Sequence, residues 1–303
     1  MIDNFTEHRS LLFGLAYRML GRVAEAEDMV QETWLRWQKQ DSQSIDSPRA
    51  WLTTTLTRLC IDHLRSAAHQ REHYYGVWLP EPFVESLAAA PSESAELADS
   101  LSMAFMLMLE KLSPVERAVF LLRQVFDLDY AEIAAIVGKS EANCRQIVSR
   151  AKSQLLRGER PAETPPTEVA QRLAEKFLTA ARSGDLSDLM ALLKDDATMY
   201  TDGGGVVSSA GRPIATADRI ARFFIGIRRK SPGRKEHFPA LVNGRVGALE
   251  YVNGVLDRAI SFDFENEKIA RLYIVRNPEK LRHLARPAGA VLLLPKQLHG
   301  NPP

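Results

Sequence analysis

Apolar residues in the first 68 positions recur every three or four places, the period of an α-helix. Leu11 to Leu20 is largely apolar and is closed by Gly21, which predicts a helix and its stop. Between Ala24 and Trp37, residues Ala26, Val30, Thr33, Trp34 and Trp37 share one face, while Glu25, Asp28 and Glu32 form an acidic stripe on another. A stripe of that kind meets either water or a basic partner. Ser47-Pro48 predicts an N-cap followed by proline in the first turn, and the helix beyond gathers Leu52, Leu56, Leu59, Cys60 and Leu64 on one side. Thr53, Thr57, Arg58 and Arg65 are left for other faces, free to touch a polymer backbone or bases.

A second helical segment spans about 101–157. Ser113-Pro-Val-Glu116 reads as a capping box with proline at the first helical position, ahead of Val115, Val119, Phe120 and Leu122. Asp129 to Gly138 reads as a short helix ending in glycine, and Ser140 caps the next. Two short helices joined by a glycine-containing turn, the second basic, are a helix-turn-helix signature. On the second helix Cys144, Ile147, Val148 and Ala151 face inward. Lys139, Ser140, Asn143, Arg145, Gln146, Ser149, Arg150 and Lys152 are candidates for bases and phosphates.

From about Thr167 the pattern changes to strands. Thr167 is expected to cap a helix with Val169, Leu173, Phe177 and Ala181 inward, ended near Gly184; a short helix follows over Leu186–Leu193, and another over about Ala217–Ile227. Asn243-Gly244 and Asn253-Gly254 separate runs rich in Val, Leu, Tyr and Phe, the mark of two-residue hairpins, and the meander continues through Ile260–Phe264 and Ile269–Val275. The fold class is therefore multidomain: two all-α domains, then an α+β domain with a curved antiparallel sheet. Boundaries fall at 1–68, a connector 69–100, 101–157, a proline-rich linker 158–166, 167–290 and a tail 291–303.

The chain has 303 residues and a formal charge of only +1, so DNA binding must come from local clusters. One cluster runs from Lys139 to Arg160, with six basic residues against Glu141 and Glu159. The longest apolar runs, such as Ala290–Leu294, are too short to span a bilayer, and the first residues lack the basic start and apolar core of a signal peptide, which predicts a cytoplasmic protein with no membrane partner. Cys60 and Cys144 match neither a disulfide framework nor a metal spacing; no metal or cofactor is expected.

In their order, the acidic helix, the segment Ser47-Pro-Arg-Ala-Trp-Leu52 with Leu59-Cys-Ile-Asp-His-Leu-Arg65, and the helix-turn-helix resemble bacterial RNA polymerase sigma factors of the extracytoplasmic-function class. The resemblance covers about residues 1–157. It implies core RNA polymerase as partner, through the β′ clamp helices for Glu25, Asp28, Gln31 and Glu32 and the β flap for the second segment. It also implies promoter DNA: the −10 element taken as an unpaired strand by Thr53, Thr57, Arg58, Arg65 and the 39–47 loop, and the −35 element read as duplex by the basic helix. Many relatives carry Asn where Arg58 stands, which favours a phosphate contact there.

The third segment resembles SnoaL-like domains, cones of helices over a curved sheet, which a subgroup of these sigma factors carries. Tyr74-Tyr-Gly-Val-Trp-Leu-Pro-Glu-Pro82, Asp202-Gly-Gly-Gly205 and Asn277-Pro-Glu-Lys-Leu281 resemble its motifs, with Val206 in place of a common Lys and Glu279 in place of a common Asp. Three consecutive glycines imply a backbone approached closely by another segment. Trp78, Leu79 and Pro80 are accordingly expected near Asp202, Gly203, Gly204, Gly205, Asn277 and Pro278, setting the spacing of the two DNA-binding domains. The resemblance makes the third domain a regulator in cis; its cone leaves room for an unknown small ligand as a further partner, and the free protein is expected to be a monomer. Two rival readings are a polymerase-independent regulator that senses a small molecule, and a cyclase or isomerase using Asp202, Asp263, His237, Tyr200 and Tyr251 as an acid-base set.

Overall fold

Gly21 takes φ +72° and ends α1 (Ile2–Leu20), its N–H bonded to the Tyr17 carbonyl, so the residue without a Cβ holds the left-handed position that stops the helix. α2 (Val23–Gln38) buries Ala26, Val30, Thr33 and Trp37 as its spacing predicts, and Trp34 is half-buried with its ring 4.8 Å from Phe5. α3 (Pro48–Glu72) begins at the predicted proline, with Ser47 Oγ accepting from the Ala50 N–H, and continues past the boundary expected at residue 68. The computed structural model describes residues 2–40, 45–72, 74–85, 100–156, 165–230 and 233–284. The loop expected at 39–47 lies partly outside them, as do most of the proline-rich linker and the whole of the tail.

β1 (Val84–Glu85) sits in the connector. Beyond it come α4 (Met103–Leu109), α5 (Pro114–Gln124), α6 (Tyr130–Val137) and α7 (Glu141–Leu156). The predicted capping box is present: Glu116 Oε2 accepts from the Ser113 N–H at 3.0 Å, while Ser113 Oγ accepts from Glu116 N–H. Asp129 and Glu132 form a second box on α6, and Gly138 ends that helix at φ +66°. α1, α2 and α3 pack on one another, and so do α5, α6 and α7. α1 and α3 also meet α5, and α3 meets α6. Residues 1–74 and 93–160 therefore form one compact unit, and residues 75–92 with 161–303 form another.

In the second unit α8 (Thr167–Ser183) starts from Pro166 with no side-chain cap, so Thr167 is its first residue and not its cap. α9 (Leu186–Leu192) is capped by Asp185, and leads into β2 (Leu193–Asp202), β3 (Ile214–Ala215), α10 (Ala217–Lys230), β4 (Lys235–Val242), β5 (Arg245–Val252), β6 (Val255–Glu265), β7 (Lys268–Val275) and α11 (Pro278–Leu281). Asn243 and Gly244, then Asn253 and Gly254, all have positive φ, the primed turns that fit hairpin twist. The sheet order is β1-β4-β5-β6-β7-β2-β3. It is mixed, which corrects the all-antiparallel expectation: β2 runs parallel to β7, from Thr198 opposite Arg271 to Asp202 opposite Val275. Parallel neighbours need a long crossover, and local turn signals carry no trace of one.

Helices α8 to α10 cover one face of this sheet, and the core between them includes Phe177, Phe224, Phe262, Phe264, Leu272 and Ile274. Phe177 is fully buried and meets Phe224 and Phe262 edge-on at 5.1 and 5.7 Å. Phe177→Ala is expected to cost the second unit about 3–5 kcal/mol, read as a lower urea midpoint by circular dichroism in the β region.

Candidate functional site

The helix-turn-helix is built as the sequence implies. Gly138 reverses the chain, Ser140 Oγ accepts from the Asn143 N–H at 3.3 Å, and α7 buries Cys144, Ile147, Val148 and Ala151 against its neighbours. Lys139, Ser140, Arg145, Gln146, Ser149, Arg150 and Lys152 are exposed and Asn143 is half-buried. Arg145 is held by Glu141 at 2.6 Å and lies over the Tyr130 ring, 5.0 Å from its centroid. The recognition face is thus open, and one of its cations is pre-positioned by an aromatic platform.

α3 departs from expectation. Thr53 and Thr57 are buried, 3% and 0% exposed, and Thr57 Oγ1 donates to the Thr53 carbonyl. Neither is free to touch DNA in this conformation; α3 packs on α1, α2, α5 and α6. Arg58 remains on the outside, but its guanidinium is engaged: Nε donates to the Ile136 carbonyl and Nη2 to the Ala135 carbonyl, both at 3.0 Å. Arg65 is exposed beside Asp62 at 3.4 Å. On α2, Asp28 and Gln31 are exposed, Glu32 pairs with Arg36 at 2.9 Å, and Glu25 is half-buried between Arg22 and His63. The acidic stripe is present, with its N-terminal member already paired with Arg22.

In the second unit the three motifs converge on one carboxylate. Asp202 is 1% exposed; its Oδ2 accepts from the Leu79 N–H at 2.9 Å and from Lys280 Nζ at 2.7 Å, and Oδ1 accepts from the Gly204 N–H at 3.0 Å. Its carbonyl accepts from the N–H groups of Arg276 and Asn277. Lys280, 2% exposed, also donates to the Leu79 carbonyl and lies 4.3 Å from the centroid of the Trp78 ring. The glycines follow from this crowding. A Cβ on Gly203 would strike the Val207 carbonyl, one on Gly204 the Asn277 amide, and one on Gly205 would press on Tyr75 at 3.3 Å. Pro80 is buried beside Leu79, Pro278 opens α11, and Val206 is exposed.

Residues 81–85 of the connector are stitched to the same unit. Phe83 and Asn243 exchange two hydrogen bonds, Asn243 Oδ1 accepting from Phe83 N–H at 3.1 Å and the Phe83 carbonyl from Asn243 N–H at 2.7 Å. β1 adds to β4, with Val84 opposite Val242. His283 reaches Glu81 at 3.4 Å and the Pro82 carbonyl at 2.9 Å. Burial alone lowers the His283 pKa, but these two partners prevail and hold it above its usual value. Residues 75–85 are therefore a strap on the second unit; Lys280 and His283 were the residues sequence reasoning missed, although Lys280 stood inside a motif already singled out.

The acid-base candidates do not share a site. His237 lies on the helix-facing side of the sheet, its Nε2 2.7 Å from Glu250 Oε2, with Arg258 pairing to Glu250 at 3.1 Å. Burial raises the Glu250 carboxyl, yet the His237 hydrogen bond and the Arg258 charge bring it below the usual range. Asp263 and Tyr200 face the opposite side, where Asp263 accepts from Tyr273 Oη at 3.2 Å and Tyr200 stacks on Tyr273 at 5.3 Å. Tyr251 packs there against Phe238, and burial pushes the Asp263 carboxyl up. Asp202 is committed to the strap. Among the described residues no group of three His, Cys, Asp or Glu side chains is placed to hold a metal ion, and no helix is long and apolar enough to cross a membrane.

An acidic three-helix segment, then a helix-turn-helix, define a sigma-70 type initiation factor: Sigma-70 region 2 matches residues 5–70 and Sigma-70 region 4 matches residues 102–155. The chain belongs to the extracytoplasmic-function RNA polymerase sigma factors. It is 38% identical over 289 residues to the ECF RNA polymerase sigma factor SigJ of Mycobacterium tuberculosis (strain ATCC 25618 / H37Rv), covering 92% of each chain. It is 30% identical over 283 residues to the probable ECF RNA polymerase sigma factor SigI of Mycobacterium tuberculosis (strain CDC 1551 / Oshkosh), covering 93% of this chain and 95% of that one. The crystal structure of SigJ from Mycobacterium tuberculosis superposes with a TM-score of 0.74 at 34% identity, over 93% of this chain and 98% of that one. Membership makes the protein a transcription factor and not an enzyme.

Removing one partner of a buried ion pair strands the other. Asp202→Asn is expected to cost about 3–5 kcal/mol in the second unit and to speed amide exchange at Leu79, measured by hydrogen-exchange mass spectrometry. The His283 pair carries its own pH signature. Because its pKa is raised in the fold, its contribution is complete below the ordinary value of 6.5 and is lost as pH rises through the folded value. His283→Gln is expected to flatten the fall in melting temperature between about pH 6 and pH 8 without changing it at higher pH.

Proposed function

We propose that this chain joins core RNA polymerase in the cytoplasm, directs it to promoters with −10 and −35 elements, and carries its own regulator as the second unit. What supports the reading most is the order of region 2, connector, region 4 and α+β domain in a chain that a relative matches at 38% identity over 92% of its length. α2 docks on the polymerase β′ clamp helices through Glu25, Asp28, Gln31 and Glu32, and region 4 meets the β flap. α7 reads the −35 duplex with Lys139, Ser140, Asn143, Arg145, Gln146, Ser149, Arg150 and Lys152, while α3 engages the −10 strand through Arg58 and Arg65, joined by Thr53 and Thr57 once that helix is uncovered.

The regulatory part rests on the strap. Residues 75–85 of the connector belong to the second unit, so regions 2 and 4 are joined in series through it. Centres of −10 and −35 elements stand about 25 base pairs apart, roughly 85 Å at about 3.4 Å per step. Spreading the two regions over that distance carries the second unit along with the connector or strips the strap from Asp202 and Lys280. Trp78, Leu79 and Pro80 with Asp202, Gly203, Gly204, Gly205, Asn277 and Pro278 therefore set how far the DNA-binding regions separate.

Reconstitution with core polymerase on a library of promoter fragments tests the reading: the chain is expected to produce transcripts that core enzyme alone does not. Specific duplex binding that needs no polymerase, with no initiation, supports the free-standing regulator instead. Arg150→Ala or Lys152→Ala is expected to weaken binding to all sequences and to reduce the salt slope of log K by about one, measured by fluorescence anisotropy.

A further inference from the structure

Regions 2 and 4 each place a guanidinium on the C-terminal carbonyls of a helix in the other. Arg58 of α3 donates to the Ala135 and Ile136 carbonyls in the last turn of α6. Arg117 of α5 donates to the Met19 carbonyl at the end of α1 at 2.7 Å, and to Glu110 at 2.8 Å. Those carbonyls have no intrahelical donor and carry the negative end of the helix dipole, so a cation is the partner they favour. Arg18, 1% exposed, adds a bond to Ser100 Oγ at 2.9 Å and lies 5.7 Å from the centroid of the Phe126 ring.

Beside the Arg58 cap is a cleft of about 270 Å³ lined by Arg58, Asp62, Arg65, Ile136 and Gly138. Of the α3 residues assigned above to the −10 strand, Arg58 and Arg65 therefore line a cleft against the helix-turn-helix, while the α7 recognition face stays exposed. A unit of about 140 residues is roughly 37 Å across, less than half the separation of the two promoter elements. It has to open before both elements are engaged.

We propose that the reciprocal arginine caps, Arg58 on α6 and Arg117 on α1, are a latch that holds α3, with its −10 arginines, against region 4 until the promoter complex forms. This rests on the sigma reading of α3, but the latch is testable without polymerase or promoter. Spin labels on Lys39→Cys and Ser153→Cys in the full chain report the distance between regions 2 and 4; the native Cys60 and Cys144 are buried. The parent is expected to give one narrow distance. Arg58→Ala and Arg117→Ala are each expected to raise the open-to-closed ratio about tenfold, and the double variant about a hundredfold, seen as a longer and broader distance.

Arg58 is exposed, so its removal leaves the α3 core intact; if Arg117→Ala unfolds region 4, Arg58→Ala and Arg58→Lys decide alone. Lysine keeps the charge but lacks the fork that serves two carbonyls at once, and its distance distribution is expected between those of the parent and of alanine. A folded double variant, or in its absence Arg58→Ala, whose distribution superimposes on the parent's overturns the latch. Failure of promoter-directed transcription with a sensitive latch would instead refute the sigma reading.

Discussion

Asp202 is the point through which the second unit, the connector and α11 are fixed together. A carboxylate 1% exposed is tolerable only because a lysine, two backbone N–H groups and the aromatic face behind the lysine surround it. Such a charge cluster contributes little net stability relative to an apolar one, but it is unforgiving of partial occupancy. If the strap leaves, Asp202 and Lys280 lose the Leu79 backbone from both sides. The strap is therefore either wholly seated or wholly released, and this suits a connector whose position matters to what it connects.

The same physics bears on the absence of an acid-base site. Two isolated carboxylates or a carboxylate and histidine become catalytic when they share a cavity and a proton path. Here strand register separates them: His237 and Glu250 stand opposite one another on the helix side, while Asp263 alternates to the other face with Tyr273 and Arg271. Glu250 also meets Arg258, which pairs with Asp257, which in turn binds Arg276 at 2.7 Å. This chain of alternating charges, buried at Glu250 and Arg258 and partly open at Asp257, ends at Arg276, next to Asn277 and bonded to the Ser208 carbonyl. Its members hold one another, and holding is what they contribute.

Much of the fold was legible because it is written in local chemistry. Gly21, Gly138 and Gly184 mark helix ends by their left-handed φ, the Ser113 box marks a start, and two Asn-Gly pairs mark hairpins. The inward face of α7 was readable from period alone. What escaped notice depends on contacts distant in sequence: the parallel seat of β2 beside β7, the burial of Thr53 and Thr57, and the pairing of Val84 and Glu85 with β4. Threonine is ambiguous in this respect, since in a helix its hydroxyl bonds back to the preceding turn and the remainder packs as a small apolar group. Arginine misled in the opposite way. Arg58 reads as a surface cation in search of phosphate, whereas a helix C-terminus offers it carbonyl dipoles of the same sign.

On the sigma reading, the exposed acidic face of α2 and the engaged face of α3 have different consequences for polymerase. A ligand shifts a conformational equilibrium only by its differential affinity for the two states. Asp28 and Gln31 are exposed while Arg58 is still capped, so docking on α2 alone binds open and closed forms alike and releases nothing. Release requires a second attachment, on region 4, that is satisfied only when the two regions stand apart. Moving from one open molecule in a hundred to ninety-nine takes about 5.5 kcal/mol of such preference. On the proposed latch, a two-point grip on regions 2 and 4 supplies it through geometry, freeing the Arg58 guanidinium that the closed form engages.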